Sequence, residues 1–265
     1  SSDYSMKSRS HLLLTIFAAI VFIFKTDSIA GQNRYVLLIG IGSYPEESGW
    51  NRIHGDNDIH IVMANLIRQG ENIDTLINSS ATKSNIISAL EDLCKNVAKG
   101  DVVYIHFSGH GQQISDINGD EDDGFDEAWI PYDARKSYQA GIYEGDKHII
   151  DDELNEIFTA YRVRLGERGK IVVIADACHS GSGSRGLDNS NAACVRGTND
   201  RFIIPRGEHN VVKKQNPVEW LYVAACKSYQ TNYEYKAPDG FVYGMLSFIV
   251  ANDQRNWNGI NYVDV

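Results

Sequence analysis

Cysteine is scarce in this chain of 265 residues, and its spacing excludes several classes at once. Cys94, Cys178, Cys194 and Cys226 form no C-x-x-C pair, so the common structural zinc patterns are out. A chain of this length also needs no disulfide framework to fold. Basic residues are outnumbered, 25 against 35 acids, for a net charge of −10. With no long basic run to neutralise phosphates, a general nucleic-acid binder is excluded. Gly40-Ile41-Gly42 lacks the third glycine of a dinucleotide fingerprint. Internal repeats and coiled-coil heptads are missing as well.

What is there begins with a leader. Lys7, Arg9 and His11 precede the apolar run Leu12 to Phe24, 13 residues long. That run is short for a membrane-crossing helix. Ser28-Ile29-Ala30 places small residues where a signal peptidase inspects them. Residues 1–30 therefore read as a secretory signal cut after Ala30, with Met6 as the start, and an uncleaved anchor is the alternative. The predicted location is exported if the signal is cut, with no stable membrane association afterwards, and membrane-anchored otherwise. Residues 31–265 carry the fold. Their apolar share supports a real core, since 43% of the whole chain is apolar.

Two segments stand out, Val102 to Gly111 and Ile171 to Gly181. Each is an apolar β-branched run ending in a reactive residue among small ones. Such runs read as buried strands of a parallel sheet, and ligands bind beyond the carboxyl ends of such strands. His110 and Cys178 fall there. Around them, strands are predicted at 35–39, 73–77, 102–107, 128–131, 171–175 and 220–225. Helices are predicted at 54–69, 82–98, 150–162 and 241–250. Residues 112–127 and 133–148 read as loops, and 180–216 as a long polar stretch that is either functional or disordered. Ile260 to Val265 reads as the start of a further element. Strands alternating with helices predict an α/β three-layer sandwich with a mostly parallel central sheet flanked by helices.

A thiolate is the reactive form of cysteine, and an imidazole can take its proton. His110 and Cys178 are thus candidate base and nucleophile. The N–H groups of Gly111 and Cys178 are candidate donors to a developing oxyanion. The plain alternative is a small core cysteine and a turn histidine. A rival reading draws His106, His110, Asp176, Cys178 and His179 as a zinc site. Alternation opposes it, placing His106 on a sheet face and His110 in the turn beyond. The acidic stretch Asn118 to Glu127 clusters oxygen ligands of the kind calcium takes, yet it is no EF-hand, because Glu121 stands where that loop needs glycine.

Tyr104-Ile105-His106-Phe107-Ser108-Gly109-His110-Gly111 and Asp176-Ala177-Cys178-His179-Ser180-Gly181 resemble the histidine and cysteine motifs of metacaspases and related bacterial caspase-like peptidases. The resemblance runs from about Arg34 to the end and includes Asp56-Asn57-Asp58 and Val223 to Gln230. It implies a caspase–haemoglobinase fold, with about residues 31–184 large-subunit-like, 185–217 a linker loop, and 218–265 small-subunit-like. It implies a cysteine endopeptidase with a Cys178–His110 dyad, cutting after Arg or Lys. Asp58, Ser108 and Asp176 would line the pocket, since paired buried carboxylates suit a guanidinium. It implies calcium held by Asp126, Asp151 and Asp152. The fourth family position falls at Arg185, a departure, with Asp188 nearby but out of register. An Arg/Lys-specific enzyme could also cut itself in the basic loop Arg185 to Lys214. The competing functions are a non-catalytic, calcium-responsive caspase-like module and a clostripain-like peptidase. The expected partners are peptides or proteins with Arg or Lys before the cut, and no organic cofactor is expected.

Overall fold

The computed structural model describes residues 32–66, 71–116, 118–119, 121, 123–178, 195–205, 221–225 and 232–252. The leader 1–30, His179, Arg185, Asp188, Cys194, Lys214, Cys226 and the end of the chain lie outside the described residues.

Five strands form one parallel sheet: β1 (Arg34–Gly40), β2 (Asn72–Ile77), β3 (Val102–Ser108), β7 (Lys170–Asp176) and β8 (Leu221–Ala224), in the order β2-β1-β3-β7-β8. Alternation along each strand decides what it buries. Leu37, Ile39, Val103, Ile105, Phe107, Ile171, Val173 and Ala175 face one side. There they pack on α2 (Lys83–Asn96) through Ile86 and Leu90, and on α3 (Asp151–Leu165) through Leu154, Phe158, Tyr161 and Leu165. Val36, Leu38, Tyr104, Val172 and Ile174 face the other side. They meet Ile59 and Val62 of α1 (Gly55–Leu66) and Ala251 of α4 (Met245–Asn252). Each fully buried Leu, Ile or Phe in these layers contributes about 1.5–3 kcal/mol. The predicted three-layer α/β sandwich is what forms. Thr82 caps α2 by accepting from the Asn85 N–H, which fixes where the helix begins.

Three local readings need correction. Residues 112–127 are not simply a loop. β4 (Gly111–Ser115) pairs antiparallel with β5 (Phe125–Trp129), which also pairs with β6 (Ile149–Ile150). β4 reads as polar because its neighbours are polar: the buried Gln112 donates to the carbonyls of Lys136 at 3.0 Å and Asp200 at 2.7 Å. The helix expected from Phe241 starts at Met245. Val242–Gly244 (β10) instead pairs antiparallel with Glu234–Lys236 (β9). Short apolar runs do not distinguish helix from strand, and aromatic and β-branched residues favour the strand. Finally, α3 runs three residues past Arg162, to Leu165, and is stopped by Gly166 at φ 63°.

The described part of the polar stretch, 195–205, is built into the molecule. Phe202 donates its N–H to the Gln113 carbonyl at 2.8 Å and accepts from the Ser115 N–H at 3.0 Å. Its ring joins a third cluster with Trp50, Ile114, Ala128, Ile130 and Tyr143.

Candidate functional site

β3 and β7 lie side by side with Ser108 opposite Asp176, and the Gly109 N–H reaches the Asp176 carbonyl at 3.3 Å. His110 and Cys178, each two residues further on, therefore leave neighbouring strands at the same edge of the sheet. Both are buried. The His110 Nε2 lies 2.9 Å from the Asn51 carbonyl. A carbonyl only accepts, so Nε2 carries the proton and Nδ1 keeps its lone pair. Nδ1 has no hydrogen-bond partner among the described residues. Trp50 stacks on the ring at 4.7 Å, and Tyr44 lies at 5.3 Å. The Tyr44 hydroxyl accepts from the His110 N–H at 3.1 Å and donates to the Ile130 carbonyl at 3.1 Å. Burial pushes the His110 pKa down to about 4, with Arg196 and Lys136 adding to the effect and the Asn51 bond opposing it. The ring is thus neutral and its free lone pair is able to accept a proton. The Cys178 N–H donates to the Arg196 carbonyl at 2.8 Å, and Gly111 forms a bridge with Gly197.

The other three predicted pocket residues also come together, and they surround a guanidinium. Arg196 Nη1 lies 2.6 Å from Asp58 and 3.9 Å from Asp176, and it donates to the Ser108 hydroxyl. Nη2 lies 2.9 Å from Glu234. Ser108 donates to Asp58 at 2.5 Å, and the Gly244 N–H donates to Asp58 at 2.9 Å. Asp176 accepts from Asn232 at 2.6 Å and from the Ser247 N–H and hydroxyl, each at 2.7 Å. Glu234 accepts from the His54 N–H at 2.6 Å and meets His54 Nδ1 at 2.7 Å. The cage requires glycine at 244, because a Cβ there would sit 2.2 Å from Asp176 Oδ2 and 2.5 Å from Arg196 Nη1.

The two aspartates differ. Burial alone would raise Asp176, but Arg196 and the Ser247 and Asn232 donors hold it below the usual carboxylate range. Burial raises Asp58 to about 6, Arg196 opposes that, and the Asp176 charge adds to it. Two carboxylates in one dry pocket cannot both ionise at their ordinary pKa. Behind them His106 is held neutral, its pKa lowered to about 4 chiefly by burial. Its Nδ1 faces the Tyr104 hydroxyl at 2.8 Å and its Nε2 the Ser247 hydroxyl at 2.9 Å. With both ring nitrogens engaged, His106 is no metal ligand. Among the described residues no group of three or more His, Cys, Asp or Glu side chains stands together as a metal cluster, and His179 of the zinc reading lies outside the described residues.

Asp126 is buried on β5, and Asp151 and Asp152 open α3. Asp152 accepts from Asn118. Asp151 is raised to about 7, first by burial and then by the charges of Glu127, Asp152 and Glu121. The Oδ1 atoms of Asp151 and Asn155 have no hydrogen-bond partner among the described residues. At the head of the acidic stretch Asp116 accepts from the N–H groups of Asn118, Gly119 and Glu121.

Several residues of the site escaped the sequence reading. Arg196 was visible only as one of six basic residues in a polar stretch. Glu234, Asn232, Ser247 and Gly244 lie on β9, β10 and α4, or just before β9, where no motif marks them. Asn51, Trp50 and Tyr44 come from the connection after β1.

A family model described as metacaspase, peptidase C14 domain, matches residues 51–185. Metacaspase-1A of Aspergillus fumigatus is 43% identical over 104 residues, which cover 39% of this chain and 22% of that protein. Metacaspase-1 of Coccidioides immitis is 43% identical over 105 residues, covering 39% of this chain and 20% of that protein. The matched part thus spans about a fifth of these relatives' length. Among solved structures, protein GSU0716 of Geobacter sulfurreducens is 25% identical with a TM-score of 0.47, covering 62% of this chain and 57% of that one.

Proposed function

The chain belongs to the metacaspase family of C14 peptidases, and from that premise we propose that it is a cysteine endopeptidase cutting after Arg or Lys through Cys178 and His110. The observation that carries the specificity is the guanidinium of Arg196 held by Asp58, Ser108 and Glu234, with Asp176 at 3.9 Å. A site that holds one arginine this way fits the side chain of another.

In this reading His110 Nδ1 takes the thiol proton of Cys178. The thiolate then attacks the carbonyl carbon of the basic residue, and the oxyanion accepts from the N–H groups of Cys178 and Gly111. The protonated His110 gives its proton to the leaving amine. A water molecule, deprotonated by the same ring, releases the acyl group. The Nδ1 lone pair of His110, unpartnered among the described residues, supports its role as proton acceptor. Peptides ending in Arg, Lys or Asp before a reporter group test the reading. Arg and Lys peptides are expected to turn over at least about 100-fold faster than Asp peptides, a difference of roughly 2.7 kcal/mol. A preference for Asp would overturn the pocket assignment.

We also propose that calcium binds near Asp126, Asp151 and Asp152, which do not stand as a ready-made metal cluster among the described residues, so that binding would draw them together. The raised Asp151 and the unpartnered Oδ1 atoms of Asp151 and Asn155 support it, because a divalent cation would relieve the repulsion and satisfy those oxygens. Its chemistry there would be charge neutralisation, tying α3 to β5. Calcium titration is expected to raise the melting temperature, and Asp151→Asn to remove most of that rise. An unchanged melting temperature at millimolar calcium would reject the site. Export after removal of the leader completes the proposal. Mass spectrometry of the secreted chain tests it, since its new N-terminus is expected at Gly31.

A further inference from the structure

The segment around Arg196 makes main-chain contacts of the kind that a bound peptide makes. Val195 pairs antiparallel with Tyr233, the Arg196 N–H donates to the Asn232 carbonyl at 3.1 Å, and the Arg196 carbonyl accepts from the Cys178 N–H at 2.8 Å. Strand addition of this kind is a common way for a protein to hold a peptide. The side chain fills the acidic cage and is fully buried. Gly197 then passes so close to Cys178 that a Cβ on it would lie 2.1 Å from the Cys178 carbonyl oxygen. Cys178 is itself fully buried.

We infer that residues 195–197 are a built-in pseudosubstrate, with Arg196 occupying the specificity pocket and its carbonyl the oxyanion position, so that the site is latched until this segment is displaced. The inference rests on the proposed Arg/Lys pocket. It requires displacement, not cleavage, of the segment. It also explains a mismatch within the site: a donor needed for the oxyanion is already in use, and the nucleophile has no access to solvent. A tethered competitor acts at an effective concentration on the order of millimolar. A free ligand for the same cage must therefore bind with an apparent affinity far below its intrinsic one.

Agmatine, a decarboxylated arginine, probes the cage without any turnover. In the Cys178→Ala background, calorimetry is expected to show agmatine binding at least tenfold more tightly to Arg196→Gln than to the chain with Arg196. Arg196→Lys should fall between them. Agmatine should also recover melting temperature lost by Arg196→Gln, because it returns a guanidinium to the acids. A folded Arg196→Gln variant that binds agmatine no better than its parent would overturn the latch. Should Arg196→Gln not fold, Gly197→Ala keeps the cage charges and pushes the strap off Cys178. Cys178 in that variant is expected to react with iodoacetamide at least tenfold faster than in the parent, and an unchanged rate would overturn the inference. Failure of the peptidase reading looks different. There agmatine binds the opened cage as expected, yet no Arg or Lys peptide is cut by Arg196→Gln carrying Cys178.

Discussion

Replacing Cys178 with alanine is expected to lower kcat/KM toward Arg peptides by about 10⁴-fold or more. The change removes only Sγ from a buried site, so the fold should persist, with stability altered by about 1 kcal/mol or less. His110→Ala should cost turnover on the same scale if Nδ1 takes the thiol proton as proposed. The two losses should not add. Residues acting as one unit are grossly non-additive, so the double variant should be about as inactive as either single one. Initial rates for the four proteins with one Arg peptide, together with their melting curves, check this. Equal turnover by Cys178→Ala would remove it as nucleophile. Multiplying losses would mean that the two side chains act in separate steps. Trp50 and Asn51 enter the same argument, since they hold the His110 ring with its protonated nitrogen turned to a carbonyl.

The part of this site that the sequence makes legible is the part built from local runs. Ile105 to Gly111 and Ile174 to Cys178 announce buried strands that stop abruptly, and parallel pairing then sets His110 and Cys178 at one edge. Thr82 likewise announces the start of α2 through its own side chain. Only family resemblance singles out Asp58 and Asp176 as candidate pocket acids, because each also suits a helix start or a strand end. Arg196 was beyond reach for a physical reason. Its partners Asp58, Ser108 and Glu234 are 138, 88 and 38 residues away, and charge in a polar stretch carries no sign of burial. Gly244 was invisible for the opposite reason. Its role is the absence of a side chain beside Asp176, a demand set by tertiary approach and not by any turn. The β4–β5 hairpin was missed because its polar residues are satisfied by backbone carbonyls of distant segments, so the strand lacks the apolar alternation that would identify it.

Asp176→Asn is expected to be among the most destabilising single changes in this protein, by about 3 kcal/mol. Asp176 is the acceptor on which Asn232, the Ser247 N–H and the Ser247 hydroxyl converge, so it ties β7 to α4 and to the residue just before β9. An asparagine has one accepting oxygen and an NH2 group. With donors aimed at both carboxylate oxygens, at least one would face another donor in a dry site, where an unmet polar group costs about 1–3 kcal/mol. Arg196 would also lose part of its compensation. For a chain of this size the loss corresponds to a melting temperature roughly 6–12 °C lower. Asp58→Asn should cost less than half as much, because burial already raises the Asp58 pKa to about 6 and disfavours its charge. The pH dependence separates the two further. The folded pKa of Asp176 lies below the ordinary aspartate value. Its contribution is therefore present above that value and is lost as the pH falls through the lower folded one. The gap in stability between parent and Asp176→Asn should accordingly close in strong acid. A gap that stays constant down to the acid transition would mean that packing, and not the charge of Asp176, holds the cage together.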